Sequence, residues 1–355
     1  MNKKTIGIIF GGVSSEHDIS CISAKSIIEN IEYDKYNAVL IGITKEGRWF
    51  IFNDDVNLLP QDKWLGSKSL VPAFISPDTS VKGLVTAKGE IVHLDAVFPV
   101  LHGKNGEDGT IQGLLQMAQI PFVGCDATSS GVCMDKAVAN AVADAVGIPQ
   151  AKWCGVNEYD YRKSSDEILN NAIEKLGLPI FVKPANAGSS VGITKAHSKE
   201  ELAAAMEIAF KEDRKAVLEE FIDGFEVECA VMGNDEPVAG EVGQILAAAE
   251  FYDFDAKYNN PQSETVIPAN IPAEKREEVK HLAIKAYKSM GCQGMSRCDF
   301  FVTRNDGKVL LNEINTIPGQ TSISMYPKLF EAVGVPYKEL ISRLIGLAFE
   351  RGGRI

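Results

Sequence analysis

MSRCDFFVTRNDGKVLLNEINTIPG, residues 295–319, carries the strongest structural signal in the chain. Two apolar runs flank Arg304, Asn305, Asp306 and Gly307, residue types that form turns, so the segment predicts two antiparallel strands joined as a hairpin. Side chains alternate faces along a strand. Glu313 and Asn315 therefore point the same way, one pleat apart, and Arg297 and Asp299 do so on the partner strand. Pairing across the turn can bring Asp299 beside Glu313 and Asn315, which puts two carboxylates and an amide oxygen on one face. Hard oxygen donors of this kind suit Mg2+, which keeps some water and takes other ligands from substrate phosphates. A solvated edge strand, with Glu313 and Asn315 facing water, fits the hairpin equally well. The residues outside the hairpin must decide between the two.

Three other stretches bear on that choice. In IFVKPANAGSSVGITK, residues 180–195, an apolar strand carries Lys183 and runs into Ala187, Gly188, Ser189, Ser190 and Gly192. Small residues let backbone N–H groups approach phosphate oxygens, hydroxyls add donors, and a lysine supplies a point charge. The lysine precedes the glycines, which is not the P-loop order, and a plain Gly/Ser turn between strands is the competing reading. Lys136 in CMDKAVAN, residues 133–140, can serve an anion in the same way or sit exposed near a helix start. In LEEFIDGFEVE, residues 218–228, Glu219 and Glu220 end one strand and Glu226 begins another. These carboxylates can accept hydrogen bonds from a ribose or an amino group, or be ordinary surface glutamates.

Outward from these motifs the chain reads as α/β. TIGIIFGG (5–12) is a strand ended by a glycine pair, and HDISCISAKSIIENI (17–31) follows with apolar residues at helical spacing. AVLIGIT (38–44) and LDAVFPVLHG (94–103) continue as strands, with GTIQGLLQMAQI (109–120) as a helix. This alternation predicts a doubly wound parallel sheet over residues 1–124. A helix, MDKAVANAVADAVGI (134–148), opens a second unit over 125–220, which includes a helix at 198–213 where Ser198 and Glu201 form a capping box. From residue 221 to 355 longer alternating strands take over, followed by a final amphipathic helix, YKELISRLIGLAFE (337–350), that reads as core cover.

Composition narrows the function. The net charge of -12 over 355 residues lacks the basic footprint that nucleic-acid binding needs, so an anionic ligand must meet locally placed lysines and arginines. No apolar run approaches a membrane span, and the N-terminal stretch turns polar too early for a secretory signal, which makes a cytoplasmic chain the expectation. The seven cysteines are scattered and never paired as CxxC, which predicts reduced, mostly buried thiols rather than disulfides or zinc ligands.

The lysine-led Gly/Ser loop, the acidic hairpin and NEINTIPG together resemble the ATP-grasp superfamily. Along essentially the whole chain, the order FGGVSSEHDIS, HGKNGEDGTIQG, MDK, KPANAGSSVGITK, FYDFDAKY, SRCDFF, NEINTIPGQTSISMYP is similar to the D-alanine:D-alanine ligase family. The resemblance implies an N-terminal substrate-binding domain followed by a two-lobed ATP-grasp fold, with ATP and two Mg2+ ions, Mn2+ being a substitute, between the lobes. It implies Asp299, Glu313 and Asn315 as metal ligands, and Lys136, Lys183, Ser190, Glu219, Glu226 and Lys257 as ATP contacts. Glu16, Ser189 and Tyr258 are implied around the first substrate, and Arg297 with the Gly319 N–H at the oxyanion, a salt bridge to a hairpin carboxylate being the other reading of Arg297. His102, Ser324 and Met325 are implied around the substrates, a capping or satisfied core histidine being an equal reading of His102, and AAAEFYDFDAKYNNPQSE (247–264) as a lid that excludes water. A homodimer in the cytoplasm is implied by family alone.

For the second substrate, Tyr258 in DAKY matches dipeptide-forming members, whereas lactate-using relatives carry histidine in that region. Ser324 with Met325 resembles the D-alanine type. FPVLHGKNGEDG and GFEVECAVMG also resemble the resistance-type ligases, so D-serine stands as the alternative.

Overall fold

The computed structural model describes residues 3–188, 191–246 and 264–352. Its strands form three sheets. The first holds β1 (Lys4–Gly11), β2 (Tyr36–Ile43), β3 (Trp49–Phe52), β4 (Val71–Ile75), β5 (Gly83–Thr86), β6 (Ile91–His93) and β7 (Ala96–Pro99), in the order β6-β5-β4-β3-β2-β1-β7. Only β1 with β2 and β1 with β7 pair in parallel. From β2 to β6 every neighbour is antiparallel, so the expected parallel sheet is the core of a mixed one. The reason is connection length. A parallel pair needs a crossover, which α1 (His17–Asn30) supplies between β1 and β2, whereas Thr44–Arg48 is long enough only for a tight antiparallel return to β3.

The β1–α1 junction is built around Gly11 and Gly12, with φ of 86° and 100°. A Cβ at residue 11 would lie 2.1 Å from the Ile43 carbonyl oxygen, so no other residue fits there. The turn is pinned by Ser20 Oγ accepting from the Gly11 N–H at 2.8 Å, and by His17, whose Nδ1 donates to Gly12 O at 2.6 Å while Nε2 lies 2.7 Å from Asp62 Oδ1. Gly11→Ala is expected to lower unfolding free energy by at least about 2 kcal/mol. An unchanged chemical-denaturation midpoint would show that the turn relaxes.

The second sheet, in the order β10-β9-β11-β8, holds β8 (Trp153–Asn157), β9 (Ile180–Pro184), β10 (Thr194–Ala196) and β11 (Lys215–Glu220). Helices α2 (Thr110–Met117) and α3 (Ala127–Met134) lead into it. The helix expected over 134–148 forms as α4 (Lys136–Ala145), with Asp135 ending α3 and capping α4 by accepting from the N–H groups of Ala137 and Val138. Helices α5 (Glu158–Leu176) and α6 (Lys199–Glu212) cover the sheet. Half of the expected capping box forms, with Ser198 Oγ accepting from the Glu201 N–H, while the Glu201 carboxylate accepts from the His197 N–H one residue earlier.

The third sheet, β14-β13-β12-β15-β16, is antiparallel throughout. It holds β12 (Gly224–Gly233), β13 (Val238–Leu246), β14 (Glu264–Val266), β15 (Gly294–Thr303) and β16 (Val309–Asn315), with α7 (Ala273–Ser289), α8 (Met325–Glu331) and α9 (Tyr337–Gly352) packed around it. The hairpin forms in the expected pairing: Asp299 opposes Glu313 and Arg297 opposes Asn315, with a bulge after Asp299. β16 is an edge strand, as one reading had it.

One core joins the first and third units. Ile6, Ile8, Phe10, Ile27 and Phe98 pack in one cluster with Tyr326, Phe330, Leu340, Leu344 and Ile345 of α8 and α9. Polar contacts seal this contact, with Arg351 donating to the carbonyls of Gly124 at 2.6 Å and Phe122 at 2.7 Å. All seven cysteines are free thiols and six are buried; burial pushes the Cys229 thiol up to about 12, which suits an inert core residue.

Candidate active site

A cavity of about 580 Å³ is lined by all three units. Glu16 and Glu107 come from the first, Lys136, Lys183, Gly188 and Glu219 from the second, and Glu226, Glu228, Arg297, Asp299, Glu313 and Asn315 from the third. The edge strand β16 turns Glu313 and Asn315 toward a cavity shared with the other units, and Glu313 keeps a side-chain exposure of 38% there.

The face is set by register. Glu228 on β12 opposes Asp299 on β15, which opposes Glu313 on β16. Arg297, two residues along, shares that face and is 5% exposed. Its Nε and Nη2 donate to the two oxygens of Asp299, each at 2.7 Å, and Nε lies 3.0 Å from Glu228 Oε2. Burial disfavours the guanidinium charge, but Asp299 and Glu228 outweigh it and hold Arg297 firmly protonated. Asn315 Oδ1 accepts from the Ile317 N–H at 3.1 Å, which fixes the exit of β16.

Across the cavity, Lys136 opens α4, donates to Ala187 O at 2.8 Å and comes within 3.9 Å of Glu313. Lys183 on β9 pairs with Glu219 on β11 at 2.6 Å and donates to Asn312 Oδ1 at 3.2 Å. Burial works against the Lys183 charge, but Glu219, with Glu313 and Glu226 behind it, raises its pKa above the ordinary lysine value. In the first unit, Glu16 precedes α1 with its carboxylate against the backbone of Gly103 and Gly188.

Not every expected residue meets here. His102 is buried outside the cavity lining, its Nδ1 donating to Ile317 O at 3.1 Å and its Nε2 lying 3.3 Å from Ser23 Oγ, so it ties the first unit to the loop after β16. Ser324 caps a turn by accepting from the Thr321 N–H at 3.0 Å and lies against Gly319. Met325 is buried on Gly243 of β13. Ser189, Ser190, Lys257, Tyr258 and most of the expected lid lie outside the described residues.

Glu107, Glu228 and Asn312 line the cavity without having been singled out. Glu228 was within reach, because it stands two residues after Glu226 on a strand. Glu107 accepts from the Gly103 N–H at 3.0 Å, a loop contact with no periodic signature.

The lining tests whether a divalent metal belongs here. Among the described residues, nine carboxylates (Glu16, Glu107, Glu219, Glu220, Asp223, Glu226, Glu228, Asp299 and Glu313) face four basic groups (Lys136, Lys183, Arg297 and Arg304). A polyphosphate cannot approach that acidic excess unless cations stand between, and Asp299, Glu313 and Asn315 offer the hard oxygen donors that such cations take. The residues fit the group.

Family profiles match most of the chain. The one described as D-ala D-ala ligase N-terminus matches residues 5–125, and the one described as D-ala D-ala ligase C-terminus matches residues 142–346. The chain belongs to the D-alanine–D-alanine ligase family. A D-alanine–D-alanine ligase of Caldicellulosiruptor bescii is 48% identical over 99% of this chain and 96% of its own length. One from Clostridium novyi is 46% identical over 99% of this chain and all of its own. Among solved structures, the VanG D-Ala:D-Ser ligase from Enterococcus faecalis superposes with a TM-score of 0.90 at 42% identity, covering 98% of this chain and 100% of that one. The D-alanine-D-alanine ligase from Coxiella burnetii gives 0.87 at 35% identity, covering 99% and 97%. The family's ATP-grasp architecture is thus the architecture of this chain, with the third sheet and the second closing on one cavity.

Proposed function

We infer that this protein joins two D-alanine molecules at the expense of ATP, giving D-alanyl-D-alanine for peptidoglycan precursors. The observation that carries the reading is the facing of Asp299, Glu313 and Asn315 with Lys136 and Lys183 across a cavity that also holds Glu16. In this reading residues 1–124 bind the first substrate, while 125–220 and 221–355 grip the nucleotide.

A carboxylate is a poor acyl donor and must first be activated. The carboxylate oxygen of the first D-alanine, its ammonium held by Glu16, attacks the γ-phosphorus of ATP. ADP leaves and an acyl phosphate forms. Lys136 and Lys183 neutralise charge on the phosphates, and Glu219 and Glu226 take the adenine edge and ribose. Asp299, Glu313 and Asn315 would hold two Mg2+ ions, which supply Lewis-acid neutralisation of the transferring phosphoryl group when bound. The amine of the second D-alanine, having lost a proton, then attacks the acyl carbon and phosphate leaves with its oxygen. Arg297 is preorganised to donate to the oxyanion of that step, because its buried carboxylate partners hold it in place.

Ser189, Ser190, Lys257 and Tyr258 complete the reading, with Gly319 at the oxyanion and His102, Ser324 and Met325 near the substrates. A cytoplasmic homodimer belongs to the same reading; no helix among the described residues is long and apolar enough to cross a membrane.

The test is phosphate release from Mg2+ and ATP with D-alanine alone, then with D-serine or D-lactate added, each product identified by mass. D-alanyl-D-alanine is expected to dominate. A dominant D-alanyl-D-serine product would instead assign the chain the chemistry named for its VanG neighbour. No D-alanine-dependent phosphate release would overturn the reading.

A further inference from the structure

We propose that Glu228 is a positioning residue for Arg297, keeping the guanidinium at the cavity face while Asp299 serves a divalent cation. The inference rests on the reading of Asp299 as a metal ligand. Both oxygens of Asp299 are engaged by Arg297 at 2.7 Å. A carboxylate that gives electron pairs to a metal loosens its hold on a guanidinium, and a buried guanidinium deprived of its counterion is costly. Glu228 removes that conflict. It is 3% exposed, stands directly across from Asp299 on the neighbouring strand, and reaches Arg297 Nε at 3.0 Å. One guanidinium thus has two carboxylate partners on two strands, and only the partner on β15 belongs to the metal set.

The two carboxylates therefore have separate work. With Glu228 neutralised, Arg297 depends on Asp299, and a metal must compete with it for that carboxylate. Metal affinity falls, and in the loaded enzyme Arg297 is pulled from the acyl carbon. Both effects come from a residue that touches neither substrate nor metal.

The test titrates Mn2+ into the substrate-free full-length protein and reads free Mn2+ by electron paramagnetic resonance, comparing the parent with Glu228→Gln and Glu228→Asp. Glu228→Gln is expected to weaken Mn2+ binding about tenfold and to lower kcat by a similar factor, as loss of supporting partners does around metals. KM for ATP should change less than kcat, and Glu228→Asp should recover part of both losses because it restores the charge. Unchanged Mn2+ affinity in a folded Glu228→Gln protein would overturn the proposal, whether or not kcat falls. If the parent itself shows no D-alanine-dependent turnover, the proposed reaction fails, and the Mn2+ comparison still decides the role of Glu228.

Discussion

Glu313→Gln is expected to lower D-alanine-dependent ATP turnover by about three orders of magnitude, at the upper end of what removing one preorganised electrostatic group costs. The change keeps size and shape and deletes one negative charge. Glu313 lies across from Asp299 and is approached by Lys136, so it is the carboxylate placed to face both the acidic face and the phosphate-binding side. Its side chain is 38% exposed, so the fold should barely register the loss, within about 0.5 kcal/mol. Phosphate release and a denaturation curve measured on the same preparation separate the two effects. Turnover close to that of the parent would remove the metal assignment.

Arg297→Ala should be expensive for the fold as well as for the reaction. Glu228 and Asp299 are each 3% exposed, and without the guanidinium they face each other as like charges on a buried sheet face. Removing one partner of such a buried group typically costs about 3–5 kcal/mol. The sign of the metal effect distinguishes this account from simple loss of packing. Mg2+ or Mn2+ at the carboxylates would replace part of the missing positive charge, so the variant should recover more stability on metal addition than the parent does. A melting temperature equal to the parent's, or a loss that metal leaves untouched, would contradict it.

The local chemistry was legible because it is periodic. Glu313 and Asn315, and Arg297 and Asp299, are each two residues apart on strands, and the strands are joined by a recognisable turn, so their common face followed from alternation alone. Ser198 and Glu201 were readable for the same reason, as a fixed spacing with one hydrogen-bond outcome. The antiparallel extension of the first sheet was not legible, because β3 to β6 are short and carry little alternation to mark them as strands. A salt bridge from Arg297 to a hairpin carboxylate could be read from their shared face, but its two-pronged form could not. Spacing shows that two side chains share a face, not that one will occupy both oxygens of the other. Glu107 escaped because its place depends on loop geometry, which no period encodes.

The core shared by β1, α1, α8 and α9 also bears on how the chain is made. Ile6, Ile8 and Phe10 are synthesised more than three hundred residues before their partners Leu340, Leu344 and Ile345. At translation rates of about 5–20 residues per second, tens of seconds separate the two on the ribosome. The first sheet emerges with one apolar face unburied, and it stays so until α9 is released. A nascent chain stalled before residue 337 is therefore a chaperone client with a sticky flank, and α9 acts as the closing step of a core begun more than three hundred residues earlier.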